Sequence, residues 1–583
     1  MQGKGRLFLV AASLFLFGCE KEGERTKINV ILEDSPYLEC ASPILSIKPG
    51  EDASFSFRVK NNGKIASVSY GDHSLHYEDD GSYRLDLHNV LYPEKVSLEV
   101  VAEGVSYFPS GGKALPGAVT TFGIPSAHLR MNVADGEKLF AREGYAFLGW
   151  GDSPESSSFV PSGSRVGKNT TSLYAIWEKE TPLSDFRFLL GEGYAILSEY
   201  LGDEERVILP KTVEGKPLIA IESGAFNNKS LSSIFLPSSL RTIQSGAFSH
   251  CPNLSSIQLH DGTLREFADE SFLDCPKIKT LLISANEAPC FSGTYFDAFQ
   301  DKLDYLRSIK EEKKIVLFSG SSTRYGFQSP LFEEAFDCKV SNMGVFAYLS
   351  AEVQLEAIRP FLKEGDIFID APELERSDYQ FFANDEIEAK TFAMFESDFA
   401  SFGSVDLTHF TNEWDALSSF FALRDSMGKR SYSVEAKWFD DDENRYDYPT
   451  YNIQGDMTIV RPNHPKDEWI SQPLVLYDTS TVSDEEIECF NRVYESLKAD
   501  GIDFFFDYAP KNRNCLTPES TPEKVHALGE KLNGKIKAPI LSSLDEALKS
   551  GVYFWKIDNH LSDEGAKLRS EETIRDLKSY YGD

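Results

Sequence analysis

The sequence predicts a multidomain, strand-rich chain: an N-terminal β-sandwich, a small β module, a repeat solenoid, and a C-terminal three-layer α/β domain on a parallel sheet. Three observations predict it. Short alternating apolar and polar runs fill the N-terminal part, and a unit of 22 to 24 residues recurs between 183 and 285. Beyond residue 290, continuous apolar strands alternate with helical stretches. The length of 583 residues agrees, because roughly 150 residues per domain gives about four domains.

Residues 1–27 read as a leader and tether. Lys4 and Arg6 precede an apolar run, Leu7–Phe17, which ends in Gly18-Cys19. The run is too short for a spanning helix, which needs about 20 apolar residues. A small residue before Cys at this place resembles a bacterial lipobox, which implies that Cys19 is lipidated; the alternative is a plain secretory signal. Glu20–Lys27 then forms a polar tether, and an extracytoplasmic, membrane-anchored location at the cell surface is expected. Removing Cys19 leaves seven of the eight cysteines, scattered and without a C-x-x-C pair. Neither a disulfide framework nor a metal site is signalled, and no cofactor is expected.

Residues 28–103 carry alternating strands: Phe55, Phe57 and Val59; Tyr83, Leu85 and Leu87; Val96, Leu98 and Val100. Turns such as Pro49-Gly50, Asn61-Asn62-Gly63 and Asp79-Asp80-Gly81 separate them. That spacing suggests an immunoglobulin-like sandwich. Residues 104–180 contain Gly144-Tyr145-Ala146-Phe147-Leu148-Gly149-Trp150 and then Leu173-Tyr174-Ala175-Ile176-Trp177. This resembles the Listeria-Bacteroides repeat of bacterial surface proteins. The two tryptophans serve as core, with an aromatic glycan-binding surface as the alternative.

Residues 182–286 repeat. Gly224-Ala225-Phe226, Gly246-Ala247-Phe248 and Glu270-Ser271-Phe272 are each followed by an apolar triplet, and Cys251-Pro252 and Cys275-Pro276 match in position. The period and the L-x-x-I-x-L strand mean a leucine-rich solenoid. The set resembles the BspA-like leucine-rich repeats, which implies surface display and often adhesion. So short an array is expected to act as a spacer rather than as a full binding horseshoe.

Residues 290–583 alternate apolar strands (Ile315–Phe318, Val340, Asp366–Asp370, Phe504–Phe506) with helices. In a parallel sheet, ligands sit at the carboxyl ends of the strands. There the first strand runs into Ser319-Gly320-Ser321-Ser322, and His560 stands near the end of the chain. This order, with Asn342-x-Gly344 and Gly365-Asp366 through Pro372-Glu373 between, resembles the SGNH (GDSL-like) hydrolases over about half the chain. The resemblance implies Ser322 as nucleophile, His560 as general base, and the N–H groups of Ser322 and Gly344 as oxyanion donors. Two positions depart from the family. Glu373 replaces the asparagine of the third block, and Ile557 occupies the place of the acid three residues before the histidine. Asp558, two before it, then orients the imidazole imperfectly, or His560 acts in a dyad.

A Phe-rich insertion, 375–472, is expected to form a cap over the site, as an extra helical packing layer or as a substrate clamp. Within it, Asn452–Asp456 and Arg461–His464 reach toward the site mouth, His464 being a rival base. The run Asp440–Glu443 lacks the spaced ligands of a calcium loop and reads as a solvated face. With 59 Lys and Arg against 92 Asp and Glu, the net charge of −33 argues against nucleic acid and anionic membrane surfaces as partners. The resulting expectation is a surface lipoprotein with a serine esterase acting on O-acyl or O-acetyl esters of carbohydrate, its partners surface or dietary glycan or a host surface ligand. The competing expectation is a noncatalytic adhesin or glycan binder with a degenerate hydrolase fold.

Overall fold

The computed structural model describes residues 27–61, 63–70, 73–124, 130–260, 264, 266–268, 270–284, 295–345, 349–374, 391–403, 405, 413–427 and 451–582. The side chains of 295–297, 413 and 423–427 lie outside that description. So do Cys19 with the leader, Cys290, Asn62, Phe381, Phe382 and the Asp440–Glu443 run.

The first region alternates because each strand buries one face. Glu51–Val59 pairs antiparallel with Tyr83–Val90 and directs Ala53, Phe55 and Phe57 inward. Val30, Leu32 and Val96 of a second sheet join them in one core. In the next region Gly104–Phe108 runs parallel to Ser172–Lys179, which pairs antiparallel with Tyr145–Gly151. Trp150 is buried against Tyr107, Phe140 and Phe147, and its indole N–H donates to Ala134 O at 2.7 Å. Trp177 donates to Pro109 O at 2.8 Å. Both indoles therefore work in packing, with their polar atoms satisfied internally.

The repeats wind two parallel sheets. One holds Arg206–Ile208, Ser233–Leu236, Ser256–His260 and Thr280–Ser284; the other includes Ala195–Tyr200, Lys216–Ile221, Thr242–Ile243 and Glu266–Phe267. The repeated phenylalanine of each unit stacks on the next, Phe226 on Phe248 at 4.6 Å and Phe248 on Phe272 at 4.9 Å. Tyr200 begins this ladder on Phe226 at 5.2 Å. Trp414, from the insertion, ends it on Phe272 at 4.2 Å.

The insertion therefore seals the open end of the solenoid. Helix Phe399–Phe402 lies on strand Thr280–Ser284, and helix Glu413–Met427 on Glu266–Phe267. Phe392, Phe395, Phe399, Phe402, Phe420 and Phe421 are all buried there. A stacked array exposes an apolar end unless something caps it, and these residues supply the cap.

One apolar core runs from Leu281 and Ile283 of the solenoid into Phe299, Phe395 and Val316. The small β module is also fixed to the solenoid. Ala146 and Leu148 pack on Ile208 and Phe235, and buried His260 faces Asp135 at 3.4 Å. The array is thus packed along one sheet against the small β module and at its C-terminal end against the insertion.

The C-terminal sheet is four-stranded and all parallel, in the spatial order Lys339–Asn342, Lys314–Phe318, Ile367–Asp370, Asp503–Phe506. The two central strands are buried along their whole length, which accounts for their continuous apolar sequence. Helix Asp484–Ala499 starts at a capping box between Ser483 and Glu486, and helix Ala351–Ile358 is capped by Ser350.

Candidate functional site

The carboxyl end of strand Lys314–Phe318 turns sharply. Ser319 sits at φ 154°, a region that residues with a side chain rarely adopt. Backbone of this kind costs about 1–3 kcal/mol and persists where the surroundings enforce it. Two residues later the chain enters the helix Ser321–Gly326, whose first turn carries Ser322.

Ser322 is fully buried, and its Oγ has no hydrogen-bond partner. Its N–H donates to Glu373 Oε1 at 2.6 Å, and Ser321 Oγ donates to the same oxygen at 3.3 Å. Its carbonyl accepts from Arg569 Nη1 at 3.2 Å. The other Arg569 nitrogens make no hydrogen bond, Nη2 standing 3.8 Å from Asp507. Burial lowers Arg569 to about 10, against the opposing pull of Asp507, Glu373 and Glu572.

Gly344 follows the edge strand and presses on the start of the same helix. A Cβ there would fall 2.4 Å from Arg324 N, so only glycine fits. Its N–H donates to Asn342 Oδ1 at 3.0 Å. Asn342 Nδ2 donates to Thr323 O and to Asp456 Oδ1, and Asp456 also accepts from the Ser329 N–H and hydroxyl. Segment 452–456 thus closes onto the edge strand. Lys302, wholly buried beneath it, donates to the carbonyls of Gly344 and Gly455, and burial followed by the charge of Arg324 pushes it down to about 7.

His560 comes to the other end of this helix. Its ring stacks on Tyr325 at 4.0 Å and 27°. Ser322 and Tyr325 are one turn apart and so lie on one helix face. His560 Nε2 is out of solvent and has no hydrogen-bond partner. Burial, then the charges of Arg324, Arg461, Lys511 and Lys556, hold His560 well below its ordinary value, so the ring is neutral near pH 7. Ser322 Oγ and His560 Nε2, both unpartnered, are not hydrogen-bonded to each other.

Asp558 is directed elsewhere. Its carboxylate pairs with buried Lys511 at 2.7 Å, while its carbonyl accepts from Asn512 N–H. Those two anchors fix the segment so that the expected contact of Asp558 with the imidazole is not made. Glu373 sits against Ser322 N–H, where an oxyanion would be held. His464 stacks on Trp469, and its Nδ1 contacts the Lys466 backbone.

Sequence reasoning missed Asp370, the last residue of a central strand. It is buried, its Oδ2 is unpartnered, and burial raises it to about 8. An acid ending an otherwise apolar strand was the available signal. Among the described residues no group of three His, Cys, Asp or Glu side chains is placed to hold a metal ion, and no helix is long and apolar enough to cross a membrane.

A second buried polar centre joins the small β module to the α/β domain. Arg165 bonds Asp301 at 2.6 Å and Asp304 at 3.0 Å, and its backbone N–H donates to Asp398 at 3.1 Å. Arg130 and Arg307 also reach Asp304 and Asp398. Burial still raises Asp304 to about 7.

Residues 206–313 match the family model of the BspA type leucine rich repeat region, in six copies. The chain therefore contains a BspA-type repeat region, and the match continues through helix Tyr295–Ser308. No curated protein matches the chain. Among solved structures, the leucine rich repeat protein of T. pallidum is 28% identical, with a TM-score of 0.18, over 24% of this chain and 60% of that one. A leucine rich cell surface protein of Faecalibacterium prausnitzii is 18% identical, with a TM-score of 0.16, over 24% and 36%. The matched part thus spans less than two thirds of either protein.

Proposed function

We propose that this chain is a bacterial cell-surface lipoprotein, anchored through Cys19, whose C-terminal SGNH-like domain is a serine esterase for O-acyl or O-acetyl esters of carbohydrate. The BspA-type repeat region supports surface display. One observation carries the chemistry: a buried serine hydroxyl and a buried neutral imidazole nitrogen, both unpartnered, flank a single helical turn at the carboxyl end of a parallel sheet. A buried polar atom without a partner costs about 1–3 kcal/mol, so two complementary ones at the two ends of one short helix call for a ligand.

In this reading His560 Nε2 takes the Ser322 proton as Oγ attacks the ester carbonyl. The N–H groups of Ser322 and Gly344 hold the oxyanion. The alcohol leaves with the proton from His560, and water, activated by the same nitrogen, releases the acid. Both donors are engaged within the chain, to Glu373 and to Asn342. Turnover therefore requires Glu373 to leave the Ser322 N–H and Asn342 Oδ1 to leave the Gly344 N–H.

The full chain is expected to hydrolyse an acetylated sugar, Ser322→Ala to lose at least about 10³-fold in kcat, and Glu373→Gln to raise it. Hydrolysis unaffected by Ser322→Ala removes the nucleophile. The second reading, a noncatalytic adhesin or glycan binder, draws on the Glu373 carboxylate at Ser322 N–H and on the Lys511–Asp558 pair. Saturable glycan binding with no turnover in either wild type or Glu373→Gln would establish it.

A further inference from the structure

Cys251 and Cys275 hold equivalent places on successive coils of the solenoid. Each follows a residue with left-handed backbone, His250 at φ 57° and Asp274 at φ 55°. Those two side chains pair at 3.0 Å. Each thiol donates to the same carbonyl of the coil before it, Cys251 to Phe226 O at 3.1 Å and Cys275 to Phe248 O at 2.8 Å. The register is locked on either side: Phe248 N–H donates to Ser271 O and His250 N–H to Leu273 O, each at 2.8 Å.

A translation by one coil thus carries one cysteine onto the other. Their Cα separation is then the inter-strand repeat, about 4.8 Å. A disulfide spans Cα atoms roughly 4.4–6.8 Å apart. The leading coil has Lys229 at the equivalent position, so the ladder has two thiols and stops. The sulfurs also interact: the Cys251 thiol stabilises a Cys275 thiolate and brings Cys275 down, while Cys251 is raised. Cys251 is fully buried, whereas Cys275 is half-buried and is the one a reagent meets.

We infer that Cys251 and Cys275 are a redox-convertible pair, reduced in this structure, that closes into an intercoil disulfide by exchange with an external disulfide compound. The Cys275 thiolate attacks one sulfur of that compound, forms a mixed disulfide and releases one thiolate, which takes up the Cys275 proton. Cys251 then gives up its proton, attacks Cys275 Sγ and releases the second thiolate, which takes that proton. Two protein thiols become one disulfide, and the external disulfide becomes two thiols. The bridge closes one solenoid coil and so restricts the unfolded chain. An extracytoplasmic compartment would favour the closed form.

The test uses the full chain with oxidised glutathione, followed by denaturing alkylation and peptide mapping. The expected result is a loss of two free thiols, with one linked peptide joining Cys251 to Cys275, reversed by a reductant. Cys251→Ser is expected to stop at a glutathione adduct on Cys275. Wild-type chain that keeps both thiols, that halts at the Cys275 adduct, or that links either cysteine elsewhere overturns the inference.

Discussion

Two buried polar centres in this molecule are built in opposite ways. Around Arg165, three arginines meet three aspartates, and each carboxylate has a cationic partner within 3.4 Å. At the sheet edge, Ser322 Oγ, His560 Nε2, Asp370 Oδ2 and Asn559 Oδ1 are buried with no partner at all. Burying a polar atom without compensation destabilises a fold, so each of these atoms asks for a reason other than support. The paired centre joins two modules; the unpaired atoms include the hydroxyl and the imidazole on which the proposed chemistry rests.

The largest test of this contrast lies on the paired side. Arg165→Met should leave Asp301, Asp304 and Asp398 under-compensated and cost about 3–5 kcal/mol, read by chemical denaturation. A loss near zero would erase the distinction between the centres.

At the unpaired centre the opposite sign is expected. Asp370 has an ordinary value of 3.8 and a folded one of about 8. Between these values the native state keeps a proton that the unfolded chain has released, so its stability falls as pH rises across that window. Asp370→Asn should therefore stabilise the chain, by several kcal/mol at pH 8 and by little at pH 4. The readout is the thermal midpoint across pH.

His560 behaves in the reverse sense. Its folded value is depressed, so its contribution is fully present above about pH 6.5 and is lost as pH falls and the unfolded chain takes up the proton. Wild type should lose about 1 kcal/mol more than His560→Gln between pH 7 and pH 5.5. Ser322→Ala should not destabilise the chain and should raise its stability by about 1 kcal/mol, because the buried hydroxyl it removes bonds to nothing. A large loss there would make Ser322 structural.

The repeats were legible because Phe226, Phe248 and Phe272 recur at near-constant spacing with their apolar triplets, and a coil that stacks on its copy must repeat its contacts. Their cap was not. Trp414 comes from a distant, non-periodic insertion that the sequence suggests as a cap over the site, whereas it packs on the last repeat. The strands of the α/β domain announced themselves as apolar runs, Ser322 and Gly344 as residues that follow two of them, and His560 only through its order in the chain. The pairings of Glu373 with Ser322 N–H and of Lys511 with Asp558 were not legible, since each joins segments far apart in the chain. The same holds for Arg165 and its aspartates, which in sequence are only isolated charges in different modules.

The central claim is that Ser322 is a nucleophile served by His560. The direct measurement is labelling of the full chain with a fluorophosphonate, read as an adduct on the Ser322 peptide by mass spectrometry. The account predicts an adduct on Ser322 that is lost in His560→Gln and strengthened in Glu373→Gln. A Ser322 left unlabelled in both wild type and Glu373→Gln would contradict it.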